Sequence, residues 1–224
     1  MKILGIDTSS GFLSIAVSDD NNIIKEENHL LERKHSSLLI PKIIEMLEAQ
    51  GISIGDIGAF IVGLGPGSFT GLRIGVSAIK GFGLALGRPC VGVASMDAMA
   101  LNAKDKAGLI VPVIDAKRGN VYSAIYRERK GSVKRNSGYL LLKVKDLMKK
   151  IKTPAVFLGD GQALYGEEIK RYNKDVVFLG EEYWYPKASA LIRLGYPGIK
   201  KFKKNDLSRL NPIYLYPRDC QVRK

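Results

Sequence analysis

Two aspartate loops, a glycine-rich turn and two histidines are the places where this sequence has residue types suited to chemistry. Asp7 closes the apolar run KILGI (2–6) and is followed by Thr8, Ser9 and Ser10. Hydroxyls and backbone N–H groups in such a loop can hold a phosphate, with the carboxylate placed to hold a metal-bound water. The same residues also make a plain hairpin turn with a capping Asp, and both readings stand. Asp115 ends LIVPVID (109–115) in the same way. Its loop, Ala116, Lys117 and Arg118, lacks the glycines that let backbone approach phosphate closely. A complete ATP clamp is therefore not expected; the chain needs no cofactor of its own, and nucleotide binding, where it occurs, is vestigial.

The turn GLGPGSFTGLR (63–73) runs into a helix N-terminus, where free N–H groups attract anions. Its details point elsewhere. Walker A requires Gly-Lys-Ser/Thr, but Gly71 precedes Leu72 and Arg73. Gly65, Gly67 and Gly71 give G-x-G-x-x-x-G, not the dinucleotide fingerprint, and Pro66 removes a donor. A tight strand-to-helix turn is the expected role. His29 and His35 stand six apart, a spacing that does not put two ligands on one helix face, and HExxH, CxxC and G-x-S-x-G are absent from the sequence. No catalytic residue and no metal site are expected.

The elements that position these loops alternate between strand and helix periods, which signals an α/β fold. Strands are expected at 2–6, 13–17, 23–27, 59–63, 90–94, 109–115, 121–126 and 155–160. Helices are expected at 36–49, 70–86, 95–104, 162–171 and 187–195, with an extended tail PIYLYPRD (212–219). An internal echo sets the architecture. ILGIDTSSG (3–11) reappears 108 positions later as VPVIDAKRG (111–119), with Asp7 matching Asp115, Gly11 matching Gly119, and a strand after each. Strand, Asp, three residues, Gly, strand at the start of each half indicates two copies of one unit. Paired hairpins led by Asp loops resemble the actin/hexokinase/Hsp70-like (ASKHA) phosphotransferase plan.

Composition agrees with a folded protein: 224 residues, 46% hydrophobic and 25% charged, enough for a sizeable core. Cys90 and Cys220 are isolated, which excludes a disulfide framework and suits a reducing cytoplasm. No signal peptide and no uninterrupted apolar run of membrane-spanning length is expected. The formal net charge of +13 is uneven: residues 1–106 carry 10 Lys/Arg against 11 Asp/Glu, and residues 107–224 carry 25 against 11. The shift marks an expected boundary, with one actin-like domain over 1–106 and a basic one over 107–224. The clusters are Arg127/Arg129/Lys130/Lys134/Arg135, Lys143/Lys145/Lys149/Lys150/Lys152 and Lys200/Lys201/Lys203/Lys204. They suit either a polyanion or a solvated lysine-rich face. None is interleaved with aromatics, so RNA would be held through phosphates. Lys149, Lys150 and Lys152 are the candidate contacts to such an RNA.

The helix over 70–86 carries two non-polar stripes, Leu72/Val76/Ile79/Leu86 and the smaller Gly71/Gly75/Ala78/Phe82/Ala85. Such a helix is sandwiched, within its domain or between chains. Its internal glycines, each costing about 1 kcal/mol against Ala, suggest close backbone approach to another element.

GIDTSS with SIAV, HSSLLIPKI, GLGPGSFTGLRIGVSAIKGFGLALG, VGVASMDAMA and VIDAKRGNVYSAIY together resemble the TsaB (YeaZ) family. The likeness runs from Met1 to about Tyr126. It implies a bacterial, non-catalytic subunit of the tRNA threonylcarbamoyladenosine machinery, with the actin-like fold. In that family TsaB supports its catalytic paralogue TsaD, which carries the metal and the transfer chemistry, and the ATPase TsaE completes the assembly. The modified base is the adenosine beside the anticodon, so tRNA is met through the complex. The metal-binding paralogue has two histidines one turn apart in the matching helix, whereas here His35 is followed at i+4 by Leu39. The expected partner surface, for TsaD or for a second copy when TsaD is absent, is a face built from His35, Leu39, Ile43, Gly71, Gly75, Ala78 and Phe82. A stand-alone kinase or ATPase of the same fold, using Asp7 and Asp115, is the alternative.

Overall fold

A computed structural model describes residues 1–31, 35–106, 108–200 and 207–217. Its first elements are β1 (Lys2–Asp7), β2 (Phe12–Asp19), β3 (Asn22–Leu30), α1 (His35–Glu48), β4 (Ala59–Gly63), α2 (Phe69–Leu86) and β5 (Cys90–Val93). There follow α3 (Ser95–Asn102), β6 (Gly108–Asp115), β7 (Val121–Ser123), β8 (Tyr126–Arg129), β9 (Ser132–Arg135), β10 (Leu140–Leu142) and α4 (Val144–Met148). The last are β11 (Ala155–Leu158), α5 (Gly161–Tyr172), β12 (Val176–Phe178) and α6 (Ala188–Lys200).

The duplication read from the two Asp loops extends to the whole sheet plan. One sheet has the order β3-β2-β1-β4-β5, the other β10-β7-β6-β11-β12. In both, the strand ending in Asp pairs antiparallel with the next strand and parallel with the one after the first crossover. Position by position the two sheets agree. The second adds a hairpin, β8–β9, attached to β6 through β8. These short, half-exposed basic strands carry little hydrophobic alternation, and together with β10, α4 and β12 they escape a reading based on apolar period.

The chain divides into two compact units, Met1–Ala98 with Pro186–Ile213, and Met99–Tyr185 with Tyr214–Lys224. A single cut at residue 106 therefore misplaces the C-terminal helix. The reason lies in the first sheet, where β4 is buried along its whole length and β1 nearly so. Two buried faces need two covers. On one side Leu4, Ile6, Phe60 and Val62 join α1 and α2 in a core that includes Leu39, Ile43, Val76 and Ile79. On the other, α6 packs on β1, β2, β4 and β5, so closely that a Cβ at Gly5 would stand 2.8 Å from Ile192 Cγ1. Ala188 N–H donates to Ser14 Oγ at 2.8 Å and fixes the start of α6 on β2.

Local signals set the helices that matter for the site. Ser68 caps α2, its Oγ accepting from Gly71 N–H at 3.2 Å, and Gly87 ends the helix at φ 62°. α1 runs unbroken through Pro41, which sits with Ser37 on the exposed side. By length and composition α2 would suffice to cross a bilayer, but its Leu72, Val76 and Ile79 are buried against the sheet.

Candidate functional site

Asp7 leaves β1 fully buried, and its carboxylate is taken up by its own unit. Ser9 donates to Oδ1 twice, from N–H at 2.8 Å and from Oγ at 2.6 Å. Ser95, at the start of α3, donates from Oγ to Oδ2 at 2.6 Å and accepts Gly65 N–H at 2.9 Å. A buried carboxylate with three donors is satisfied in place. Thr8 and Ser9 are buried with it, and Ser10, half-buried, turns its hydroxyl to the Phe12 backbone. The candidate phosphate loop Asp7, Thr8, Ser9, Ser10 is thus occupied by protein.

What fills it is the glycine-rich turn. Ser68 N–H donates to Ser9 O at 2.7 Å, and Thr8 Oγ1 donates to Gly71 O at 2.7 Å. A Cβ at Gly67 would land on Ser9 O, at Gly71 on Thr8 O and at Gly75 on Thr8 Oγ1. The glycines exist so that α2 can lie directly on the Asp7 loop. This corrects the expected partner surface. Gly71 and Gly75 are buried inside their own unit because Thr8 lies against both, its backbone O at Gly71 and its side chain at Gly75, while Ala85 at the end of the same stripe is exposed. Leu39 and Ile43 are core residues at 1% and 0% exposure. Ala78 and Phe82 are half-buried against the same core, with Phe82 stacked on Phe60 at 5.6 Å between ring centroids. The side chain of His35 lies outside the described residues. The face of α2 left exposed is another one, through Phe69, Arg73, Ser77, Gly81 and Leu84. Leu84 is 73% exposed there, and the Arg73 guanidinium lies 3.8 Å over the Phe69 ring.

The second Asp loop has a different chemistry. Lys117 donates to Asp115 from N–H at 2.9 Å and from Nζ at 2.6 Å, while Asp115 N–H donates to Asp160 Oδ1 at 3.1 Å. Burial pushes the Asp115 carboxyl up, but the Lys117 hydrogen bonds and charge outweigh it and hold it below its ordinary value. Burial raises Asp160. Lys117 and Arg118 adopt left-handed backbone, φ 65° and 55°, a conformation that costs a side-chain-bearing residue free energy. Tyr216 braces the loop, donating its hydroxyl to Ala116 O at 2.9 Å.

Lys149, Lys150 and Lys152 are all exposed at the end of α4, with Lys149 paired to Asp146 at 2.7 Å. Lys201, Lys203, Lys204 and Cys220 lie outside the described residues, as do residues 218–219 of the expected extended tail. His29 Nε2 meets Glu27 Oε2 at 3.0 Å on β3. Among the described residues no three His, Cys, Asp or Glu side chains come together as a metal site. Sequence reasoning missed Ser95, 88 positions from the carboxylate it binds. Its one available signal was a polar residue at the end of the apolar run CVGVA.

A family model described as "TsaD: tRNA N6-adenosine threonylcarbamoyltransferase" matches residues 23–205. The Bacillus subtilis "tRNA threonylcarbamoyladenosine biosynthesis protein TsaB" is 32% identical over 227 residues, spanning 100% of this chain and 97% of that protein. The chain belongs to the TsaB family. The Escherichia coli member is 30% identical, covering 96% of this chain and 94% of its own length. Among solved structures, "YeaZ from Pseudomonas aeruginosa" superposes with a TM-score of 0.77 at 22% identity, over 96% of this chain and 99% of that one. The Clostridium difficile "Activator of the 2-Hydroxyisocaproyl-CoA Dehydratase", solved with bound ADPNP, gives a TM-score of 0.53 at 10% identity, over 90% and 96%. At these identities the two structures speak for the fold alone, and that fold is the actin-like α/β plan of the TsaB family.

Proposed function

We propose that this chain serves tRNA threonylcarbamoyladenosine formation as a non-catalytic subunit that binds and activates a TsaD enzyme, with TsaE as a further member of the assembly. The observation that carries the reading is the engaged Asp7. A carboxylate bound by Ser9 and Ser95, under a loop covered by α2, has no free oxygen aimed at a nucleotide. Full-length likeness to proteins named for this pathway supports the rest.

The partner surface is the exposed side of the α1–α2 pair, centred on Leu84 and Phe69 of α2 and on Ile40 of α1, which is 42% exposed. A second copy takes the same surface when TsaD is absent. Lys149, Lys150 and Lys152 contribute contacts to tRNA held in the complex.

The test is co-purification with TsaD, alongside ATP turnover by the chain alone. Leu84→Glu and Ile40→Glu are expected to lose TsaD while melting like the parent protein. Normal capture of TsaD by both variants would overturn the surface. Steady ATP hydrolysis that disappears in Asp7→Ala would replace the reading with a kinase or ATPase.

A further inference from the structure

The β8–β9 hairpin carries a second feature that the Asp loops and the α1–α2 face leave unused. Lys130 and Gly131 form its two-residue turn, both with positive φ, 53° and 76°. That geometry matches the right-handed twist of the flanking strands and sets their register. Arg127 therefore stands opposite Lys134, and Arg129 opposite Ser132. Alternation along the strands puts these four residues on one face and Tyr126, Glu128, Val133 and Arg135 on the other.

The two faces treat charge differently. On the Tyr126 face, Glu128 accepts Gly131 N–H at 2.6 Å and the Arg135 guanidinium lies 3.8 Å from the centre of the Tyr139 ring. On the other face, Arg127, Arg129 and Lys134 line a concavity of about 350 Å³ with Ser132 and Asn136. No carboxylate lines it, and none of these three cations has an acidic partner among the described residues. Like charges directly opposite each other weaken a strand pair. The hairpin thus holds an arrangement that is unfavourable for its own folding and that an external anion would relieve.

The lining chemistry specifies the anion. Two guanidiniums, an ammonium, a hydroxyl and an amide are all donors to phosphate oxygens, and guanidinium binds phosphate in a bidentate fork. Arg127 and Arg129, two strand residues apart, are separated by about 6.5 Å along the strand, a spacing suited to neighbouring phosphates. Among the described residues no aromatic side chain lines the concavity, so none of them stacks a base there.

We propose that this face of the β8–β9 hairpin binds the sugar–phosphate backbone of RNA, through two or three consecutive phosphates and without reading sequence. The choice of RNA among polyanions rests on the proposed role in tRNA modification; the charge geometry does not.

The experiment is binding of a fluorescein-labelled RNA stem-loop to the full-length chain by fluorescence anisotropy, across a series of KCl concentrations. The triple change Arg127→Gln, Arg129→Gln, Lys134→Gln should reduce the slope of log K against log salt by about 1.4 to 2.7, at roughly 0.7–0.9 per phosphate contact. Lys143→Gln, Lys145→Gln, Lys174→Gln removes the same charge elsewhere and should change the slope by less than half as much. Arg127→Lys should keep it. If the triple variant melts early by circular dichroism, Arg129→Gln alone carries the test, with an expected change of about 0.7–0.9. Equal effects of the two triple variants, or an unchanged slope, would overturn the proposal. So would an affinity for phosphatidylglycerol vesicles that depends on these residues while RNA binding does not, or competition by inorganic phosphate as strong as by unlabelled RNA at equal ionic strength. A chain that captures TsaD normally but shows no slope change removes this inference alone. A chain that shows the slope change but never captures TsaD removes the earlier reading alone.

Discussion

Ser95 Oγ lies 2.6 Å from Asp7 Oδ2 and so ties the start of α3 to the end of β1. Because both groups are buried, removing either strands the other's hydrogen bonds. Ser95→Ala should lower stability by about 1–3 kcal/mol. Asp7→Ala, which orphans donors on Ser9 and Ser95 together, should cost more, about 3 kcal/mol or above. Urea denaturation reads both. A cost below about 0.5 kcal/mol for Ser95→Ala would mean that this bond does not hold the loop.

Two glycines on α2 should answer the same substitution with opposite signs. A Cβ at Gly81 meets nothing within 4 Å, so Gly81→Ala should stabilise by about 0.5–1 kcal/mol through helix propensity. A Cβ at Gly75 falls on Thr8 Oγ1, so Gly75→Ala should destabilise by about 1–3 kcal/mol despite the same propensity gain. Gly75→Arg should unfold the first unit. Melting temperatures of the pair decide it, and two shifts of equal sign would place Thr8 wrongly.

Asp160 and Asp115 should bend the pH dependence of stability in opposite directions. Burial raises Asp160, so above the ordinary carboxylate range of about 4 the native chain keeps a proton that the unfolded chain has lost. Stability from this group then falls as pH rises through that window. Asp115 is held low against burial by Lys117, so its contribution is present above the ordinary range and lost as pH falls through its lowered value. Asp160→Asn preserves an acceptor for Asp115 N–H but removes the titration. Stability at pH 7 should be unchanged or higher, and its slope with pH above about 4 should become more positive. Denaturation midpoints across pH that superimpose on those of the parent protein would refute this.

Cys90 should be chemically silent in the folded state. Burial pushes its thiol up to about 11, leaving only about one thiolate in a thousand at pH 8. Iodoacetamide should leave Cys90 unmodified in native protein and alkylate it in urea, as read by peptide mass mapping. Native labelling at the rate of a free thiol would contradict the packing of β5 against α2.

The main strands and helices were legible because each carries its own period, as KILGI and AFIVG read as strands on hydrophobicity alone, whereas the short β8, β9, β10, α4 and β12 were not. The repeat of Asp7 and Gly11 as Asp115 and Gly119 exposed the duplication, since loop chemistry is local and survives in single residues. Family membership was legible for the same reason, in contiguous stretches such as GPGSFTGLR. The covering of the stripes was not. That Gly71 and Gly75 are small is written in the sequence; that Thr8 is what lies against them is not, because the contact spans 63 residues from Thr8 to Gly71. The same holds for Ser95 on Asp7 and for α6 crossing back to the first sheet. The sequence by itself determined the long, periodic elements and which residues are small, apolar or charged. Only the tertiary structure decided which of those surfaces meet, because burial is a property of pairs of faces and neither face encodes its partner.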